Sequence, residues 1–165
     1  LCPAAEGPWA LVANLPYNVA TPLVLEVLER APTIQRLLVM VQREVAERLA
    51  AGPGSSAYGI PSVKVAHRAT AEVVAVVPPT VFLPRPKVDS ALVRLLRRPR
   101  PATGADPAVL FGLVERAFGQ RRKMLRRSLA GVVPEEAFAA AGVAPDARPE
   151  TLGIDDWGRL ARALA

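Results

Sequence analysis

Cysteine and histidine are almost absent from this 165-residue chain, where Cys2 and His67 each stand alone. A single thiol excludes a disulfide scaffold and points to a reducing compartment, so a cytoplasmic location is expected. One thiol and one imidazole also fall short of the ligand set of structural zinc, and no metal site is expected. Neither residue has a partner type for nucleophilic catalysis: His67 reads as a structural histidine, Cys2 as an inert thiol near the first residue. Long apolar runs are missing too. The best, Val73 to Val77, is closed off by Glu72 and Pro78, far short of the roughly 20 residues a membrane span needs, so no membrane partner is expected. Phosphate-cradling glycine motifs are absent; Gly52-Pro-Gly54 is a turn signal. The chain opens Leu-Cys-Pro without Met or a signal peptide, which suggests a piece of something longer.

What is present is apolar and basic. Apolar residues make up 51% of the chain, which excludes a mainly disordered protein, and the length suits one domain or one plus a small appendage. The net charge of +6 is unevenly spread: Arg85 to Arg127 holds twelve basic and three acidic residues, a net +9, while the remainder carries −3. Such a block is the electrostatic footprint of a polyanion partner, and on charge alone it equally fits a solvated Arg-rich surface.

Hydrophobic periodicity divides the chain in two. Trp9 to Ala13, Leu37 to Val41, Glu72 to Val77 and Ala91 to Leu96 read as strands. Between the first two, Thr21-Pro22 reads as a helix N-cap followed by proline, with Leu23, Val24, Val27 and Leu28 as the buried stripe. Short helices are expected before Gly52 and from Ile60 to His67. In the former, Glu44 and Glu47 beside Arg43 and Arg48 read as a solvated face. Near-continuous apolar strands alternating with helices predict an α/β fold, with a mostly parallel sheet covered on both faces, over residues 1–98. Residues 99–107 read as a linker, and 108–165 as helical only. In the helical part Leu110, Leu113, Val114, Ala117 and Phe118 share one face. A basic helix is expected after Gly119, then helices near Glu135 to Ala140 and Asp155 to Leu164.

One tetrapeptide, Asn14-Leu15-Pro16-Tyr17, sits where a strand ends, the position at which open α/β sheets bind ligands. Its parts suit the edge of a planar amino-heterocycle. The Asn14 amide offers an acceptor oxygen, Leu15 is pushed into extended backbone by Pro16, and the turn can present a carbonyl beside it. Tyr17 adds a stacking face. The same four residues also fit a plain turn whose Asn caps the backbone and whose Tyr fills core.

Asn14-Leu-Pro-Tyr17 resembles the catalytic motif of S-adenosylmethionine-dependent adenine-N6 methyltransferases. The resemblance runs on through Val41-Gln-Arg-Glu-Val-Ala-Glu-Arg48, Pro53-Gly54, Tyr58-Gly59, Ser62-Val63, Val81-Phe-Leu-Pro-Arg-Pro-Lys-Val-Asp-Ser90, Phe118 to Leu129 and Arg148-Pro-Glu-Thr-Leu152. In that order these blocks are similar to the KsgA family, the small-subunit rRNA adenine N6,N6-dimethyltransferases. The glycine-rich cofactor loop and the acidic residues that family members carry before N-L-P-Y are not in these 165 residues. The chain therefore resembles the C-terminal part of such an enzyme.

The resemblance implies a class I, Rossmann-like methyltransferase sheet of order 3-2-1-4-5-7-6, with the strands here as its fourth to seventh. A small all-α domain comes after it. The same resemblance implies dimethylation of two adjacent adenosines near the 3′ end of small-subunit rRNA and a role in ribosome biogenesis, with small-subunit rRNA or the small ribosomal subunit as partner. S-adenosyl-L-methionine is the implied cofactor, its site mostly outside this chain. The resemblance further implies that Asn14 and the Pro16 carbonyl accept the N6 hydrogens, that Tyr17 first and Phe82 second are the residues to stack the base, that Leu15 completes the motif, and that Asn14 also contacts the cofactor. Arg85, Lys87, Arg121, Arg122, Lys123, Arg126 and Arg127 are the expected RNA contacts. The unpaired edge of the first strand implies self-association of this chain. Two other functions fit: a large-subunit rRNA adenine methyltransferase of the macrolide-resistance type, and a non-catalytic RNA-binding or ribosome-assembly module.

Overall fold

The computed structural model describes residues 7–164. The first strand, β1 (Trp9–Asn14), pairs in parallel with β2 (Ile34–Gln42) across the helix α1 (Ala20–Arg30). Two further strands, β3 (Ala69–Val77) and β4 (Ser90–Arg97), complete a sheet of order β1-β2-β4-β3. That is the expected 4-5-7-6 arrangement. Three of the four strands run the same way, as a mostly parallel sheet requires, but the expectation is corrected for the pairing, because β4 runs antiparallel to both β2 and β3. Apolar runs report burial and not direction, so a long strand inserted the other way leaves the same signature. Coverage of both faces is corrected as well. The inner strands bury Leu37, Val39, Val41, Ala91, Val93 and Leu95, whereas Trp9 and Val12 of β1, and Val73, Val74 and Val76 of β3, are exposed.

The helix α1 begins at Ala20, with Val19 in the cap position and no side-chain cap, so Thr21 is not the N-cap. The first-turn amides have no partners within a helix, so Pro22 fits inside that turn as easily as at its start. Ala20, Val24 and Leu28 form the buried stripe. At the other end Arg97 closes the helix. Its guanidinium donates to the carbonyls of Leu28 at 2.7 Å, Ile34 at 2.8 Å, and Val27 and Ala31 at 3.0 Å. Of these, only the Leu28 carbonyl is an otherwise unpaired acceptor of the last helical turn; Val27 and Ala31 also accept from the Ala31 and Ile34 amides, and Ile34 opens β2, so Arg97 ties the helix end to the strand that follows. Burial, and secondarily Arg68, lowers the Arg97 pKa. The next helix, α2 (Arg43–Ala50), carries the Arg43–Glu47 and Arg48–Glu44 pairs at 2.8 and 2.6 Å, the solvated face the sequence suggests.

The chain divides into two compact units, one formed by Arg68–Arg100 with the segment ending at Ala50, the other by Ala51–His67 with the segment starting at Pro101. A boundary at residue 98 with a free linker to 107 is corrected on two counts. The helix α3 (Ile60–Arg68) sends Val63 into the helical core, and the supposed linker buries Thr103 and Ala105. Helical periodicity shows that α3 has an apolar face but not which core receives it.

In the second unit, α4 (Pro107–Phe118) starts at Asp106, whose carboxylate accepts from the Ala108 and Val109 amides at 2.7 and 3.2 Å, with Pro107 at the first helical position. Its buried Leu110, Leu113, Val114 and Ala117 pack with Leu125, Leu129, Phe138, Trp157 and Leu160. These come from α5 (Leu125–Ser128) and the residue after it, α6 (Glu135–Ala141) and α7 (Ile154–Arg162). The expected basic helix after Gly119 is not formed. Residues 119–124 make successive turns and α5 spans only four residues. The Leu125 and Arg126 amides donate to the Ala147 and Pro145 carbonyls at 2.9 Å, and close like charges oppose a regular helix there.

Candidate adenine site

The parallel pairing of β1 with β2 carries through Asn14, opposite Met40, and the Leu15 amide adds one more bond to the Met40 carbonyl at 3.0 Å. Beyond it Pro16 has no amide to donate, so the ladder stops and the chain turns toward α1. The Leu15 side chain is buried and anchors this end. The Asn14 side chain is exposed and makes no hydrogen bond among the described residues, which is not the arrangement of a backbone-capping asparagine. The Pro16 carbonyl accepts from the Val19 amide at 3.1 Å, so one of its two lone pairs is engaged.

The opposite wall comes from the segment between β3 and β4. A single 3-10 turn (Pro79–Val81) ends at Phe82, and Pro84 and Pro86 stiffen the backbone beyond it. Asn14, Leu15, Pro16 and Tyr17 line one open cleft with Phe82, Pro84 and Pro86; it holds about 320 Å³. Phe82 is half-buried and outside any strand, so it is not simply core packing at a strand end. Tyr17 is likewise half-buried, and its hydroxyl lies 2.8 Å from that of Ser90, the fully buried first residue of β4. The cleft therefore unites five residues expected from sequence with two prolines that were not, and a buried serine stands behind Tyr17. All three stood in the recognised block Val81 to Ser90, but the block does not say that the serine meets Tyr17.

The cationic candidates fall in separate places along the chain. Arg85 and Lys87 are exposed beside the Phe82 wall. Arg122, Lys123, Arg126 and Arg127 are exposed in the second unit. Arg121 is half-buried and engaged within the protein instead: its guanidinium donates to the Ser56 carbonyl at 3.2 Å and faces the Glu150 carboxylate at 3.8 Å. The five do not share one helical face, because only Arg126 and Arg127 lie in a helix, the four-residue α5. His67 is fully buried in the second unit, its ring edge-on to Phe111 at 5.4 Å, and takes no part in the cleft. Cys2 lies outside the described residues. Among the described residues no group of acidic, His or Cys side chains fits a metal ion, and no helix is long and apolar enough to cross a membrane.

The family model for ribosomal RNA adenine dimethylase matches residues 4–165. A Kineococcus radiotolerans protein named ribosomal RNA small subunit methyltransferase A is 55% identical over 159 residues, covering 93% of this chain and 53% of its own length. One of the same name from Acidothermus cellulolyticus is 52% identical over 163 residues, covering 96% of this chain and 56% of its own. The chain thus spans about half the length of the curated relatives it matches. Among solved structures, the 23S rRNA methyltransferase ErmE superposes with a TM-score of 0.72 at 28% identity, over 99% of this chain and 68% of that one. A dimethyladenosine transferase from Plasmodium falciparum reaches 0.78 at 21% identity, over 97% and 66%, a likeness of fold alone. With a family model spanning residues 4–165 and relatives more than half identical, the chain belongs to the ribosomal RNA adenine dimethylase family.

Proposed function

We propose that the protein carrying this chain transfers methyl groups from S-adenosylmethionine to N6 of two adjacent adenosines near the 3′ end of small-subunit rRNA, during small-subunit biogenesis. This chain supplies the adenine site. The observation that carries the reading is the unengaged Asn14 amide at the mouth of the Tyr17–Phe82 cleft. Adenine N6 is a poor nucleophile because its lone pair is delocalised into the ring. Two acceptors on its two hydrogens, the Asn14 oxygen and the remaining lone pair of the Pro16 carbonyl, draw the nitrogen toward tetrahedral geometry and localise that pair. No general base is required before attack. A base taken from its stack is held by aromatic faces, the role assigned to Tyr17 and Phe82.

The residues present fit only one end of the cofactor. Asn14 stands where it can contact the reacting group, and no glycine-rich loop is available to hold the rest. S-adenosylmethionine, when bound, contributes a methyl group on a good leaving group. The 165-residue chain by itself is expected to show no saturable cofactor binding below millimolar concentration.

Relatives at 51–55% identity carry small-subunit names, against 28% for the 23S enzyme, which favours the small subunit as substrate. Exposed Arg122, Lys123, Arg126 and Arg127, with Arg85 and Lys87, are the proposed phosphate contacts. The test is labelled methyl transfer by the intact gene product onto undermethylated small subunits, with large-subunit rRNA in parallel. Label appearing as dimethyladenosine on the small subunit is expected. Label on the large-subunit RNA would move the assignment there, and tight RNA binding without label would favour a binding module.

A further inference from the structure

We infer that Ser90 is a positioning residue for Tyr17 and sets the geometry of the adenine cleft, an inference that rests on the adenine-site reading above. The two hydroxyls are 2.8 Å apart across 73 residues of sequence, and either can donate. Tyr17 begins a turn outside any strand or helix, so its backbone does little to fix the ring. Ser90 is the opposite. It is fully buried, and its backbone pairs with Gln42 on one side and Val77 on the other, in a strand flanked on both edges. A hydroxyl held that rigidly fixes where the Tyr17 phenol can lie.

Ser90 also ends the segment that carries Phe82, Pro84 and Pro86, the second wall of the cleft. One hydrogen bond therefore ties both walls together, and the tyrosine face is set before a base arrives. Ordering a side chain on binding lowers affinity by a factor that an already ordered ring avoids, roughly two- to tenfold. The chain contains only two tyrosines, which makes the bond directly observable.

In the 165-residue chain with ring-labelled tyrosine, Ser90→Ala is expected to shift the Tyr17 NMR signal and leave that of Tyr58 in place; an unmoved Tyr17 signal overturns the proposal. In the intact gene product, Ser90→Ala and Tyr17→Phe are each expected to raise the KM for rRNA about two- to tenfold, with the cofactor KM unchanged. The double variant should be no worse than the worse single one, because both remove the same bond. Ser90→Thr, which keeps the hydroxyl, should recover the wild-type KM. Losses that multiply in the double variant, or a Thr variant as impaired as the Ala one, would overturn the role of Ser90 while leaving the adenine site standing. A wild-type protein that labels no RNA would instead remove the underlying reading, and the NMR shift would still report on the bond.

Discussion

Tyr58 donates its hydroxyl hydrogen to the Leu152 carbonyl at 2.8 Å, joining two stretches 94 residues apart. Beside it the Gly54 amide donates to the Glu150 carbonyl at 2.8 Å. The Pro53-Gly54, Tyr58-Gly59 and Arg148-to-Leu152 blocks are thus one packed corner of the helical unit, with structural rather than chemical work to do. The Tyr58 ring also meets Phe118 edge-on at 6.0 Å.

Burial, and secondarily Asp156, pushes the Tyr58 pKa up from 10.0 to about 12. In the unfolded chain the phenol ionises near 10, while in the folded chain it stays protonated to about 12. The unfolded state therefore holds fewer protons in that window, and stability falls as pH rises from 10 to 12 by up to roughly 2–3 kcal/mol. Below pH 10 this contribution is fully present. Thermal melts of wild type and Tyr58→Phe across that range are expected to diverge in slope, with the variant lacking this component. Parallel profiles would contradict the burial of a protonated phenol.

Gly158 lies in α7 against Thr103, and a methyl group there would come 2.4 Å from the threonine Cγ2. Alanine normally improves a helix by about 1 kcal/mol over glycine, but overpacking opposes it by roughly 1–3 kcal/mol. Gly158→Ala is expected to lower the melting temperature. A raised value would show that residues 101–107 are not packed on this helix.

The four strands, α1 to α4, α6 and α7 are all legible in the sequence, because their apolar residues repeat at clear strand or helix spacing. Other properties escape because periodicity does not encode them. Strand direction is one, and the antiparallel β4 reads like any buried strand. Segment allegiance is another, since the apolar face of α3 names no partner. The Arg-rich stretch after Gly119 has helix formers at helical intervals, yet its amides bond to Pro145 and Ala147 instead. For the cleft, the motif and its resemblance single out Asn14, Tyr17 and Phe82, whereas the bond from Tyr17 to Ser90, a residue of the same block as Phe82, shows only in three dimensions.

The exposed cations yield a salt-dependence test. Neutralising Arg122, Lys123, Arg126 and Arg127 together should reduce the slope of log affinity against log salt for rRNA by ~0.7–0.9 for each phosphate no longer neutralised. Arg121→Ala should leave the slope almost unchanged and lower thermal stability, since Arg121 engages Ser56 and Glu150. An unaltered slope in the fourfold variant would return those side chains to a merely solvated surface.

β1 forms one edge of the sheet and presents Val12 at 74% and Trp9 at 50% exposure. Exposed apolar edges recruit further strands. Light scattering on the 165-residue chain is expected to show concentration-dependent association, reduced by Val12→Lys. A monomer throughout the micromolar range would contradict it.

Methyl transfer in this account depends above all on Asn14 holding adenine N6. Asn14 is exposed and its side chain supports no bond among the described residues, so Asn14→Ala leaves the fold intact and isolates the chemistry. The decisive measurement is the single-turnover rate of labelled methyl transfer to small-subunit rRNA by the intact protein, wild type against Asn14→Ala, with RNA affinity measured alongside. A fall of roughly 10² to 10³ in rate at unchanged RNA affinity is the predicted result. A rate within threefold of wild type would remove Asn14 from the mechanism.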